Sequence, residues 1–338
     1  MEFDLYTPKT IKEIRKITAL KRNFLTELFF SNEDTVGTEE VMLEYTKSGE
    51  YTAPFITPLE SGRPVGDKKT KTNIIKAPSI APERTLEPKD YFVRDAGMAI
   101  TGGYNPAQRI GKRITEILTE QEIFITNKEE LMVSQFLTTG KVTSATGEAE
   151  YEIEYGLENF STLPSDEEWG KTGVDPFVSL DKIIAKAEET GILVENLVLG
   201  TLAAEKLLNS EATKLHLSKD LQSDFVKEVT RKHPGVIWLG TYKTYGVDLF
   251  RYSRKILSPD GKTKIQLMPE NQIIGGPKGG TRLYAPVIFM GKGDIHQTKR
   301  YSNVVTPTEK TKKITTESRP VLQPCDLDGY FAVTVCQK

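Results

Sequence analysis

The sequence predicts an α+β protein in which a compact α/β unit is joined to parts too extended to fold on themselves. Three observations predict it. The stretch Tyr45–Pro88 holds six prolines, three glycines and seven Lys or Arg, with no helical apolar period. Residues 106–138 carry one apolar stripe, long enough for a single rod-like helix. Residues 176–305 alternate short helical faces with short apolar strands, and an alternating strand returns at the end of the chain.

The chain opens with Ile11, Ile14, Ile17 and Leu20 near helical spacing, followed by the apolar cluster from Phe24 to Phe30. Such a cluster fits an arm anchored on another surface, with Phe24, Phe29 and Phe30 as contacts. It fits equally a terminal helix packed on its own domain. Val41–Tyr45 is a short strand that leads into the proline-rich excursion. Proline fixes φ and removes a backbone donor, so the excursion is neither helix nor interior sheet. Its centre, Ser61–Asp67, reads as the tip of a long hairpin. Ordering these 44 residues costs on the order of 40–90 kcal/mol of backbone entropy. Thirteen apolar residues on a thin hairpin do not offset that, so its order is expected to come from other copies of the chain.

Asn105-Pro106 is a strong helix start, with Asn as cap and Pro at the first helical position. Ile110, Ile114, Ile117, Leu118 and Ile125 mark one face, and Gln121 on that stripe needs a partner. A second cap-like run at Asn127–Met132 suggests a break near Thr126. The rod would be roughly 50 Å long if straight. Ala149–Tyr155 alternates strictly and gives a strand with one acidic face, Glu150, Glu152 and Glu154.

Pro164–Pro176 is polar and irregular, and a domain boundary is expected there. In the α/β unit, Leu180–Ala187 gives a helix closed by Gly191, and Leu193–Leu199 a buried strand. Thr201 is expected to cap a helix to Leu208, and Leu221–Val229 gives a helix ending near His233. Val236–Leu239 is a strand, and Ser258-Pro259-Asp260-Gly261 turns a hairpin. Tyr284–Met290 and Phe331–Val335 are the last strands.

The catalytic inventory is thin. His216, His233 and His296 lie in no metal spacing, and His233 is expected to favour a helix dipole. Gly275–Gly280 lacks the Gly-Lys-Ser/Thr ending of a phosphate loop and reads as a surface loop. Glu129-Glu130 reads as a helix N-terminus, and Asp326–Gly329 as a turn. Cys325 and Cys336 are expected to be free thiols in a reducing compartment. A net charge of −2 offers no field for a dedicated DNA binder, and no apolar run approaches a membrane span. No enzyme, cofactor or metal is expected. An α/β enzyme on residues 176–305 would require a polar pocket that the sequence does not supply.

The order of parts resembles the major capsid proteins of tailed phages, specifically the lambda-like capsid protein E family. The resemblance rests on Phe24-Leu25 through Phe29-Phe30, Ser61-Gly62, Ala77-Pro78 and the proline-spaced descent to Pro88. It continues with Pro106-Ala107, Glu130-Leu131-Met132, Thr139-Gly140-Lys141 and Gly147-Glu148, and ends with Glu317–Leu322, Asp326 and the final strand. It implies the Hong Kong 97-type capsid fold. The implied parts are an N-terminal arm (1–35), an extended loop (36–92), a peripheral domain (93–175 plus 306–338, spine helix about 106–138) and an axial domain (176–305). It implies a shell of hexamers and pentamers around phage DNA, assembled in the host cytoplasm. The implied partners are other copies of the chain, a portal protein, a decoration protein and non-specifically contacted double-stranded DNA. The chain begins at the arm, so scaffolding is expected from a separate protein. From charge sign alone, Arg63, Lys68, Lys69 and Arg84 are expected to pair with Glu150, Glu152 and Glu154 of a neighbour. The alternative is a cellular nanocompartment shell enclosing a cargo enzyme.

Overall fold

The computed structural model describes residues 23–46, 70–91, 106–144, 150–157, 159–189, 193–219, 230, 232–289, 294–308 and 311–337. The segment expected as the arm ends in a short helix, α1 (Phe24–Phe29), and a strand, β1 (Asn32–Thr35). The root of the segment expected as the extended loop is the antiparallel pair β2 (Glu40–Thr46) and β3 (Thr70–Lys76), followed by β4 (Glu83–Leu86). The tip, with Arg63, Lys68 and Lys69, lies outside the described residues, as does the helix expected at 221–229.

The rod is α2, Pro106–Thr139, one helix of 34 residues. The expected break near Thr126 does not occur. Thr126 Oγ1 bonds back to the Glu122 carbonyl within the helix, at 2.6 Å. The Asn127 side chain is held by Arg254 Nη2 at 2.6 Å. Gln121, the polar residue on the stripe, donates to the Ile314 carbonyl at 2.7 Å and accepts from Thr316 Oγ1 at 2.7 Å. Gly140 ends the helix at φ 71°, a conformation that favours glycine. The chain then forms the hairpin β5 (Lys141–Thr143) and β6 (Glu152–Glu154), and β7 (Phe160–Thr162).

Beyond Pro164–Pro176 come α3 (Pro176–Glu188), β8 (Asn196–Leu199), α4 (Thr201–Leu208), α5 (Thr213–His216) and β9 (Leu217–Ser218). Asp175 caps α3 by accepting from the Phe177 amide, with Pro176 at the first position. Thr201 does not cap α4. The cap is Gly200, where a Cβ would lie 2.0 Å from the Pro269 carbonyl oxygen, and Ala203 N donates to the Glu270 carbonyl.

The strands β10 (Val236–Tyr242), β11 (Val247–Tyr252), β12 (Lys255–Leu257), β13 (Lys264–Gln266) and β14 (Gln272–Gly275) follow. Then come β15 (Thr281–Tyr284), β16 (Val287–Phe289), β17 (Asp294–His296), β18 (Tyr301–Thr308), β19 (Thr311–Glu317), β20 (Pro320–Gln323) and β21 (Phe331–Thr334). A seven-stranded sheet runs β7-β21-β14-β8-β11-β10-β9, parallel at β8–β11 and β7–β21 and antiparallel elsewhere. The returning strand β21 therefore shares a sheet with β8, β10 and β11. Two three-stranded sheets, β1-β15-β20 and β18-β19-β4, flank the rod.

Three apolar clusters hold these parts. The largest joins α1, the C-terminal half of α2, Val41 and Leu43 of the loop root, and Phe250 and Tyr252. A second lies between α3, α4 and one face of the large sheet. A third packs Ile110, Ile114, Ile117 and Leu118 of the rod on Leu86 and Ile314. The rod is thus buried by different partners along its length, and its stability comes from packing rather than propensity.

Candidate assembly surfaces

The arm is rooted in this chain's own core. Phe24, Phe29 and Phe30 are 2%, 0% and 0% exposed, so they are anchors here and not a surface offered to a neighbour. Phe24 packs at 5.4 Å from the Phe250 ring and 5.3 Å from Tyr252. Phe30 meets Phe136 edge-on at 5.3 Å and stacks on Tyr330 at 6.0 Å. The short α1 lacks a side-chain cap of its own. Glu130 of the rod replaces it. Its Oε1 accepts from Leu25 N and Tyr252 Oη, each at 2.9 Å, and its Oε2 from Thr26 N at 2.9 Å and Thr26 Oγ1 at 2.6 Å. Helix N-termini favour a carboxylate, here delivered from about a hundred residues away. The buried His233 Nε2 lies 3.0 Å from Glu27 Oε2 on the arm; the helix whose end it is expected to favour lies outside the described residues.

The expected surface loop at Gly275–Gly280 is a socket for this arm. Gly280 N donates to the Phe29 carbonyl at 2.9 Å, and a Cβ at Gly280 would lie 2.6 Å from Phe30 Cδ1. A Cβ at Gly276 would lie 2.3 Å from the Tyr330 ring. The glycines are required by close approach, not by flexibility.

An alternating chain of six charges runs from the rod to the arm. Arg300 lies 3.1 Å from Glu122 and 2.9 Å from Glu129, the latter an ion pair outside hydrogen-bond geometry. Arg282 lies 3.4 Å from Glu129, pairs closely with Glu33, and donates to the Phe30 carbonyl at 3.0 Å. Lys299 completes the chain at 2.6 Å from Glu33. Three carboxylates face three cations, so the network is formally neutral. Burial opposes the charge on Arg300, but Glu129 and Glu122 more than offset it and raise its pKa. Burial also works against the Glu33 carboxylate, yet its Lys299 hydrogen bond and the Arg282 charge hold its pKa below the usual value.

These acids were hidden in plain pattern. Leu118, Glu122, Ile125, Glu129, Met132 and Phe136 follow each other by four and three residues, and all six are buried. The spacing places Glu122 and Glu129 on the apolar seam, and that was the available signal.

The loop root is clamped by Arg319. Its guanidinium donates to the Pro286 and Ala77 carbonyls and to Glu39, each at 3.1 Å. Val41 and Leu43 point inward, while Met42 and its cross-strand partner Ile74 are 58% and 64% exposed. Of the expected contact residues, Arg84 meets its own rod, 3.6 Å from Glu120 and 5.8 Å above the Phe124 ring. Glu150, Glu152 and Glu154 are exposed on the hairpin after the rod. Lys141 lies 3.1 Å from Glu154 and 3.8 Å from Glu152. A groove of about 560 Å³ separates residues 73–78 from residues 150–154. Among the described residues, no group of His, Cys, Asp or Glu is arranged to hold a metal, and no helix is long and apolar enough to cross a membrane.

A family model described as phage major capsid protein E matches residues 13–335. The chain belongs to the phage major capsid protein E family. It is 24% identical over 326 residues to the major capsid protein of Enterobacteria phage P21, covering 93% of this chain and 94% of that protein. It is 23% identical over 318 residues to the major capsid protein of Escherichia phage lambda, covering 90% and 92%. The fold matches the crystal structure of a putative prophage capsid protein from E. coli CFT073, with a TM-score of 0.74 at 19% identity, covering 98% of this chain and 99% of that one. The architecture is the Hong Kong 97-type capsid fold, a mixed α+β fold. The protein is a structural component of a tailed-phage shell and not an enzyme, and its place is the virion capsid.

Proposed function

We propose that this chain forms the hexamers and pentamers of an icosahedral head, with the extended loop of each copy lying over a neighbour. The observation that carries this reading is the β2–β3 root. It is clamped inward by Arg319 and presents Met42 and Ile74 outward, uncovered by the described residues. Residues 1–35 serve as arm, 36–92 as loop, 93–175 with 306–338 as peripheral domain and 176–305 as axial domain. Because linking segments are shared, shell stability depends on assembly. Assembly takes place in the host cytoplasm on a separate scaffolding protein. The shell receives a portal, binds a decoration protein and contacts packaged double-stranded DNA without sequence preference. On this reading Arg63, Lys68 and Lys69 of the loop pair with Glu150, Glu152 and Glu154 of another copy.

Expression of the full chain with its scaffolding protein, imaged by negative stain, tests the reading. Closed shells are expected, and a small stable oligomer at high concentration would overturn it. Lys68→Glu with Lys69→Glu should abolish shells while leaving the subunit's urea midpoint unchanged. Normal shells from that variant would remove the loop pairing.

A further inference from the structure

The groove beside the acidic strand has two open sides. Strand β3 pairs only with β2, and β6 only with β5, so each hairpin keeps one free edge among the described residues. Both free strands line the same groove through consecutive residues, 73–78 on one wall and 150–154 on the other. At about 3.3 Å per residue these walls run roughly 15–20 Å, the length of an ordinary strand.

The polarity of the β6 wall is fixed by its ladder. Ser144 N donates to the Tyr151 carbonyl and Tyr155 N to the Gly140 carbonyl. Residues 151, 153 and 155 therefore turn their backbone groups toward β5. By the alternation of strand geometry, Glu150, Glu152 and Glu154 turn theirs away from β5, toward the free edge. The same three residues supply carboxylates, with Lys141 as the cation paired to two of them. On the opposite wall Lys76 is engaged by Glu39 at 3.4 Å. The site offers backbone pairing and a negative field together. Free edges are normally guarded against such pairing, and acidic side chains guard this one selectively: they repel an acidic strand and admit a basic one.

We propose that the groove is a strand slot for a second copy of this chain. A lysine-bearing extended segment of that copy enters between β3 and β6 and joins the two hairpins into one five-stranded sheet, β2-β3-guest-β6-β5. The proposal rests on the shell reading and adds to it the site and mode of docking. The occupant is a second copy because the chain itself carries a basic, proline-rich stretch whose charge complements the acidic wall, Arg63, Lys68 and Lys69 among it.

The test uses the full chain as assembled shells. Shells are made from mixed unlabelled and ¹⁵N-labelled protein and treated with a carbodiimide, which joins carboxylates to amines in contact. Mixed-isotope amides linking Glu150, Glu152 or Glu154 to a lysine of another copy are expected. Only same-copy links, such as to Lys141, would overturn the slot. Glu152→Pro and Glu152→Gln separate backbone pairing from charge. Proline removes an N–H that β5 does not use, so the hairpin tolerates it. Glu152→Pro is expected to lower shell yield at least tenfold more than Glu152→Gln, with the subunit's urea midpoint unchanged. Equal yields would overturn strand pairing, and if the proline variant fails to fold, the isotope experiment still decides. Wild-type protein that forms no shells would sink the shell reading itself, and the slot with it. Wild-type shells lacking intercopy links sink the slot, and the loop's charge pairing with it, but leave the shell reading standing.

Discussion

Glu130→Gln is the sharpest test of how the arm is held. The carboxylate is fully buried and satisfies four donors, two on each oxygen. Glutamine keeps the shape but has one oxygen. Whichever way the amide turns, its NH₂ faces one backbone N–H, whose hydrogen bond is lost, and one hydroxyl, which can turn to accept. The lost bond to a charged acceptor costs about 1.5–3 kcal/mol, and the remaining ones weaken as the charge goes. Removing a buried charge returns part of that. The net cost expected is about 2–4 kcal/mol. It should fall locally, because the amides of Leu25 and Thr26 have Glu130 as their acceptor. Hydrogen exchange on the unassembled subunit reads the opening directly. At about 1.4 kcal/mol per tenfold, exchange in residues 24–29 should quicken by roughly 30- to 1,000-fold, with the large sheet unchanged. Thr26→Val removes the hydroxyl bond alone and should give about a fivefold change, near 1 kcal/mol. If Glu130→Gln exchanges within about threefold of wild type, the remote cap is wrong.

Two further outcomes follow from the charge chain. Arg300→Met leaves Glu122 and Glu129 buried without their main cation, and should cost about 3–5 kcal/mol in urea unfolding of the subunit. Adding Glu122→Gln and Glu129→Gln should restore more than half of it, and a single variant with the wild-type midpoint refutes the network's weight. Glu33 has a folded-state pKa below its ordinary value of 4.5. Its contribution is therefore full above that value and is lost as pH falls through the lowered folded pKa. Protection of Asn32–Thr35 should weaken over that acid range in wild type and be pH-independent there in Glu33→Gln. Identical acid profiles for the two proteins would refute the assignment.

The rod was legible because it was long, capped and periodic, and the polar residue on its stripe found partners on β19. The loop root was legible through Val41–Tyr45, and the turn through Asp260, which accepts from Lys262 N at 3.0 Å. What failed was local reading of residues whose partners are far away. Glu129-Glu130 beside Asn127 looks like a helix start, since acid is favoured there in isolation. In the fold Glu130 does serve a helix N-terminus, that of α1, some hundred residues earlier. Gly275–Gly280 looks mobile until Phe30 and Tyr330 are set against it. Both errors concern the same joint, where arm, rod and β15 meet. A rod that carries buried acids on its apolar seam gains nothing as an isolated helix. It gains definition when cations and helix amides from other segments arrive at fixed places. The seam of Leu118, Glu122, Ile125, Glu129, Met132 and Phe136 thus encodes where residues 24–35 dock, by its charges as much as by its aromatic anchors.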